Sequence, residues 1–288
     1  MADFKWNEAK LDSKWEQEDC FFERKGPVAR FTLNRPEKRN SYTEDMWNGM
    51  RQACEEVNED VSCRVLVVTG AGDKAFCAGP AGFSKTPLPD EAERRAARPA
   101  LTTLQGRRGR IQGFWRHRPL YECEVPIICR LNGLAVGAGA DWTMACDMIV
   151  AADHAFLAWW YAKRGLPTDM GGCWYLAQRV GPAKAKEIIL TARNVPAQEL
   201  VDLGIAVKAV PYAQLDDAVD ELCNQIIANA PLAIRADKLL IDRAIGVERW
   251  QWFDSYAADL IRTVQASEDA RERGLDLLRK GSVEWQGR

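Results

Sequence analysis

The sequence predicts an α/β protein with a C-terminal helical region, and three observations carry that expectation. Arg64-Val65-Leu66-Val67-Val68-Thr69 is a short apolar run rich in β-branched residues and ended by Gly70, as in a strand buried on both faces. Just before it, Met46, Trp47, Met50, Cys54 and Val57 recur at helical spacing. From Ala213 onward the apolar pattern is helical almost throughout.

Taken along the chain, Cys20 to Glu23 and Val28 to Leu33 read as two strands joined at Lys25-Gly26-Pro27, a turn by its glycine and proline. Ser41-Tyr42-Thr43-Glu44 has the S-x-x-E form of a capping box and is expected to start the helix that follows. Pro126 to Leu131 and Met148 to Ala151 read as further buried strands, separated by a glycine-bearing turn and a short helix, which extends the α/β alternation. Leu215, Val219, Leu222 and Ile226 then mark one helix face, and further helices are expected around Pro231 to Ile245 and Trp250 to Val264. The expected organisation is an N-terminal arm over residues 1–18, an α/β core over 19–212 and a helical oligomerisation region over 213–288.

Composition narrows the functional classes. A chain of 288 residues that is 47% apolar can bury a substantial core without covalent staples. Lys and Arg (39) nearly balance Asp and Glu (41), so bulk charge gives nucleic acid or an anionic membrane no general attraction. The nine cysteines, among them Cys54, Cys63, Cys77 and Cys129, form no C-x-x-C pair and sit in apolar stretches. Buried thiols in a reducing compartment are expected, rather than disulfides or a zinc site. Met1 to Lys14 lacks a hydrophobic signal core and no stretch of about 18 apolar residues occurs, so a soluble cytoplasmic protein is expected. There are only two histidines: His117 among arginines reads as a surface residue, and His154 in Ala152-Asp153-His154-Ala155 as structural. Chemistry built on a histidine base or histidine metal ligands has little material here, and no metal site is expected. Between Pro87 and His117 lies an Arg-rich stretch, either a solvated face over a site entrance or an electropositive rim for phosphates.

Three segments, in this order, resemble the crotonase (enoyl-CoA hydratase/isomerase) superfamily. Leu33-Asn34-Arg35-Pro36-Glu37-Lys38-Arg39-Asn40 is similar to its first CoA-binding turn. Val67-Val68-Thr69-Gly70 through Phe76-Cys77-Ala78-Gly79 is similar to its first oxyanion loop, and Asn132-Gly133 through Gly137-Ala138-Gly139-Ala140-Asp141 to the second. Gly165-Leu166-Pro167-Thr168-Asp169-Met170-Gly171-Gly172 continues the similarity, which covers roughly residues 19–210. The resemblance implies a crotonase-like β/α superhelical core and a homotrimer or a dimer of trimers. It also implies an acyl-CoA substrate whose thioester oxygen is held by two backbone N–H groups, with no cofactor beyond the coenzyme A moiety.

That chemistry has a physical basis in the motifs. A thioester becoming an enolate gathers negative charge on oxygen, and fixed backbone donors in a dry site stabilise it. If Gly137-Ala138-Gly139 opens a helix, its free N–H groups and positive dipole end face that oxygen; by family position the donor is the Ala138 amide. A dinucleotide-binding G-x-G-x-x-G fails, because Trp142 stands at its third glycine. By the resemblance the other donor is the residue after Ala78-Gly79, and here that is Pro80, which has no N–H. A shifted loop in which Ala81 or Gly82 donates, a substrate needing one donor, or lost thioester catalysis are the alternatives. Lys38 and Arg39, on the family's nucleotide turn, are the expected phosphate partners.

By the resemblance, Asp141 stands where hydratases carry one of two glutamates and Tyr161 where they carry the other, so the two-glutamate hydration mechanism is not intact. Asp169 matches a position where some relatives place a functional aspartate. Asp141 and Asp169 are expected as base and acid of a proton shuttle, with Tyr161 as a hydrogen-bond donor; alternatively Asp169 attacks carbon directly. Trp142, Trp159, Trp160, Trp174 and Tyr175 cluster around these motifs; if they line the pocket, desolvation tunes the aspartates and the guest is an apolar or aromatic acyl group. The function expected is an acyl-CoA hydratase, isomerase or lyase. The alternatives are a thioester or carbon–carbon bond hydrolase, an RNA-binding homologue contacting phosphates through Arg107, Arg108 and Arg110, and a non-catalytic homologue.

Overall fold

The structure is a computed structural model that describes residues 3–80, 118–164, 166–168, 170–244, 263, 267–269 and 285–287. The Arg-rich stretch between Pro87 and His117, the candidates Ala81, Gly82 and Asp169, and nearly all of the helix expected at Trp250 to Val264 lie outside those residues.

Two sheets form the core. The larger contains β1 (Ser13–Glu16), β2 (Cys20–Lys25), β3 (Val28–Leu33), β4 (Val65–Gly70), β6 (Ile127–Leu131), β8 (Met148–Ala152) and β11 (Lys208–Val210), in that spatial order. Its first three strands are antiparallel neighbours, and from β3 to β11 all pairings are parallel. Every residue of β4 and β6 is buried, which is why these runs show no polar alternation. The smaller sheet has the order β10 (Asn194–Pro196), β9 (Phe156–Ala158), β7 (Leu134–Val136) and β5 (Ala75–Cys77). The chain gives one strand to each sheet in turn, β4 then β5, β6 then β7, β8 then β9. It therefore winds as a β/α superhelix. The small sheet is an addition to the sequence expectation, since its three-residue strands show no periodicity.

The hairpin expected at Gly26 is present, with Lys25 paired to Val28 and Gly26 at φ +55°. Helix α1 (Glu44–Glu59) buries Met46, Trp47, Met50, Cys54 and Val57 as its spacing predicts. Its cap differs from the expected box. Thr43 is the N-cap and accepts from the Met46 amide, whereas the Ser41 hydroxyl donates to the Lys38 carbonyl at 2.8 Å and closes the preceding turn.

Among the described residues the further α-helices are α2 (Arg118–Glu122), α3 (Ala138–Met144), α4 (Gly172–Thr191), α5 (Ala197–Asp202), α6 (Leu215–Ile227) and α7 (Pro231–Ala244). Helix α6 buries Leu215, Val219 and Cys223 against the core. From α7, Arg235 donates to the carbonyls of Val57, Asn58 and Asp60, which satisfies the last turn of α1. The N-terminal arm is clasped onto α6: the Phe4 amide donates to Asn224 and the Trp6 amide to Asp220, and β1 adds the edge strand of the large sheet.

Two fully buried asparagines fix the turns that frame the site. Asn40 accepts from the Arg35 amide and donates to the carbonyls of Ala71 and Ala75. Asn132 accepts from the Gly70 amide and donates to Gly72 and Ala75. The turn from β4 to β5 is thereby tied both to the Arg35–Asn40 turn and to the end of β6.

Candidate active site

The site grows from three chain segments that meet at one end of the sheets. After β3 the chain forms a tight turn, with Arg39 and Asn40 both left-handed at φ +53° and +51°. This turn is laced to the end of β5: the Ala78 amide donates to the Arg39 carbonyl at 3.0 Å, the Tyr42 amide to the Gly79 carbonyl at 2.9 Å, and Tyr42 bridges Pro80. The third segment is the turn from β7 into α3. Gly137 holds φ +57°, a conformation that side chains resist. A Cβ on Gly139 would lie 2.1 Å from the Cys77 carbonyl oxygen, so only glycine lets α3 approach β5 this closely.

These segments enclose a cavity of about 660 Å³. Arg35, Lys38, Arg39 and Arg164 line it with positive charge, Tyr42, Trp160 and Tyr161 with aromatic surface, and Ala78, Gly79, Pro80, Gly137 and Ala138 with backbone. Arg35 is ion-paired with Asp19 at 3.1 Å, which commits it to the turn. Lys38 and Arg39 are exposed, and no ion pair holds either among the described residues. Ala138 supplies the first N–H of α3 on the cavity wall, and among the described residues nothing accepts from it. Pro80 shares that wall and, lacking an N–H, offers no donor.

Asp141 is fully buried and stands behind the wall rather than on it. Its Oδ1 accepts from the Trp159 indole N–H at 2.8 Å and its Oδ2 from the Tyr161 hydroxyl at 2.6 Å. Of this pair Tyr161 is the group on the cavity lining, and its ring lies 3.8 Å from the position of a Cβ on Gly137, beside the Ala138 turn. The first residue of α4 closes the back of the pair. A Cβ on Gly172 would fall 1.9 Å from Asp141 Oδ1 and 2.6 Å from Trp159 Nε1.

The aromatic shell is corrected. Trp142 and Trp159 are core residues, 1% and 0% exposed, Trp174 is 45% exposed, and Tyr175 packs against the core away from the cavity lining. Trp160 alone of the five lines the cavity, where Tyr42, absent from the expected set, joins it. Cys77, at the end of β5, is fully buried, and burial pushes its thiol up to about 12, so it supplies no thiolate nucleophile. All nine cysteines are free, eight of them buried and Cys173 exposed.

Sequence reasoning missed two features. Trp159 carries the second contact to Asp141, and a single indole in a Trp-Trp-Tyr run gives no sign of which way it faces. A second cavity of about 540 Å³, lined by Arg39, Asp73, Lys74, Leu134, His154 and Tyr212, adjoins the first through Arg39 and Leu134. His154 sits there between β8 and β9, with Nε2 2.7 Å from the Asp73 carbonyl oxygen, a structural tie. Among the described residues no helix is long and apolar enough to cross a membrane.

A two-sheet β/α superhelix that brings a basic turn, a glycine-opened helix start and a buried carboxylate to one cavity is a site of the crotonase type. The family described as enoyl-CoA hydratase/isomerase matches residues 23–288. A carnitinyl-CoA dehydratase of Proteus mirabilis is 33% identical over 267 residues, covering 92% of this chain and 97% of the relative. A short-chain-enoyl-CoA hydratase of Clostridium acetobutylicum is 31% identical over 230 residues, covering 80% and 83%. Among solved structures, an enoyl-CoA hydratase from Bacillus anthracis superposes with a TM-score of 0.81 at 26% identity, covering 94% of this chain and 100% of the other. The chain belongs to the enoyl-CoA hydratase/isomerase family and is an acyl-CoA-processing enzyme of the crotonase type.

Proposed function

We propose that the enzyme forms the enolate of an acyl-CoA thioester with an apolar or aromatic acyl group, and moves a proton on it through Tyr161 and Asp141. The contact that carries this is the 2.6 Å hydrogen bond from the Tyr161 hydroxyl, on the cavity wall, to the buried Asp141 carboxylate. A phenol that donates to a carboxylate has an electron-rich oxygen able to accept. In the step proposed, the bond from the α-carbon to hydrogen breaks and its electron pair becomes the enolate, with the oxyanion at the Ala138 amide. The proton goes to Tyr161 Oη while the phenol proton passes to Asp141 Oδ2. Return of the proton to another carbon of the conjugated system isomerises the double bond.

Lys38 and Arg39 are assigned to the phosphates of coenzyme A, since they are exposed cations on the turn that forms the cavity mouth. Tyr42, Trp160 and Leu166 suit an apolar or aromatic acyl group. Asp169 keeps its assignment as the second carboxylate, and Ala81 or Gly82 as the replacement for the donor missing at Pro80. Hydration or dehydration is the second reading, favoured by the names of the two relatives. A homotrimer or dimer of trimers in the cytoplasm completes the proposal; exposed Trp174, Leu190 and Ile241 are apolar surface that such packing would cover, and free cysteines suit a reducing compartment.

The test is incubation with enoyl-, dienoyl-, 3-oxoacyl- and aryl-CoA thioesters in deuterated water, followed by mass spectrometry. Deuterium in a product of unchanged formula supports the enolate proposal. A gain or loss of one water supports the second reading, and free CoA or an inert panel contradicts both.

A further inference from the structure

Asp141 has two oxygens and only one of them faces Tyr161, so something must decide which oxygen takes the proton. Trp159 Nε1 lies 2.8 Å from Oδ1, and an indole N–H can donate but never accept. A proton placed on Oδ1 would turn it into a hydroxyl oxygen, a poorer acceptor for this buried N–H than a carboxylate oxygen. Oδ2, 2.6 Å from the Tyr161 hydroxyl, is the oxygen on which a proton leaves the Trp159 contact undisturbed.

Packing holds this choice in place. Trp159 is 0% exposed and Asp141 0% exposed, so neither contact competes with water. The first residue of α4 presses on both partners, since a Cβ on Gly172 would collide with Asp141 Oδ1 and Trp159 Nε1. The positive end of the α4 dipole also favours the charged carboxylate. Among the described residues, the charged or titratable side chains on the cavity wall are Tyr42 and Tyr161 together with Arg35, Lys38, Arg39 and Arg164.

We propose that Trp159 is a positioning residue: its indole N–H anchors Asp141 Oδ1, which sets Oδ2 against the Tyr161 hydroxyl and favours the charged carboxylate that takes up the Tyr161 proton. This rests on the enolate proposal for the same site. It makes the relay depend on an indole that is fully buried and off the cavity lining.

The experiment compares the wild type with Trp159→Phe, which keeps the aromatic bulk and removes the donor. Thioester-dependent deuterium exchange is measured against pH, with KM and thermal unfolding in parallel. Loss of one hydrogen bond to a buried charge is expected to lower kcat by about tenfold to a hundredfold, with KM within about threefold. Because the lost donor favoured the charged carboxylate, the acid limb of the kcat profile is expected to move to higher pH. An unchanged kcat, or a lower kcat with an unmoved acid limb, overturns the proposal. Should Trp159→Phe not fold, the Trp159 indole N–H resonance of the wild type is followed by NMR through the acid limb. A titration at the same midpoint supports the contact and a flat resonance overturns it. That resonance needs no turnover, so a wild type that exchanges no deuterium sinks the enolate proposal separately.

Discussion

Tyr161 and Asp141 act as one unit because one is accessible and the other is not. The buried Asp141 carboxyl accepts from two donors, the Trp159 indole and the Tyr161 hydroxyl, and Gly172 leaves room for them. Gly172→Ala is expected to destabilise the protein by about 1–3 kcal/mol through overpacking and to abolish exchange while thioester binding survives. Denaturant titration and a binding assay on the same preparation check it; wild-type exchange in Gly172→Ala would show that the Asp141 seat is not needed. What pointed to this site was the family resemblance: it singled out Ala138, Pro80 and Tyr161, which share the cavity wall, and Asp141, which Tyr161 contacts. What could not be read was direction. Trp159 and Trp160 are chain neighbours just beyond β9, yet one points into the core and the other into the cavity, an alternation that two identical side chains cannot reveal.

The turn between β3 and α1 and the short strand β5 are a single construction, since Arg39, Tyr42, Ala78 and Gly79 exchange backbone hydrogen bonds across it. Lys38 and Arg39 bond within this turn through their backbone alone, so removing their side chains should leave the fold intact. Lys38→Ala and Arg39→Ala are each expected to raise KM for a CoA thioester by roughly two- to fivefold at low salt, less as salt is added, with kcat nearly unchanged. Steady-state kinetics at two ionic strengths check it, and a loss of kcat instead would place these cations at the chemistry. The long strands β3, β4, β6 and β8 were readable because each is five or six residues long and mostly apolar. Strands β5, β7 and β9 have three residues each and exist only because the larger sheet gives them a surface to wind against. The S-x-x-E box misled because the Ser41 hydroxyl was already engaged by the Lys38 carbonyl, which left capping to Thr43.

Across the molecule, the C-terminal helices hold the core together rather than standing apart from it. Asp216 of α6 accepts from Arg130 of β6 and lies 3.1 Å from Arg30 of β3, which ties three elements at one carboxylate. Burial alone would push its carboxyl up, but Arg130 and Arg30 outweigh that and hold it below the ordinary value of 3.8. Its stabilising contribution is therefore present above the unfolded value and disappears as pH falls through the lower folded one. Asp216→Asn is expected to lower Tm at pH 7 and to have a shrinking effect as pH drops below about 4, checked by thermal unfolding at several pH values; an effect that grows in acid would contradict it. The burial of α6 followed from its spacing, whereas the long-range ties of Asp216 and Arg235 carry no local signal.

The central claim is that protons reach substrate through Tyr161, and Tyr161→Phe tests it most directly because it removes one oxygen from a half-buried wall position. The measurement is the initial rate of solvent deuterium incorporation into a saturating acyl-CoA substrate, wild type against Tyr161→Phe, with Kd for the thioester measured alongside. A fall of about a hundredfold or more with Kd within a few-fold is the predicted result. Incorporation at the wild-type rate with the phenol absent would contradict the relay and return the proton chemistry to another group.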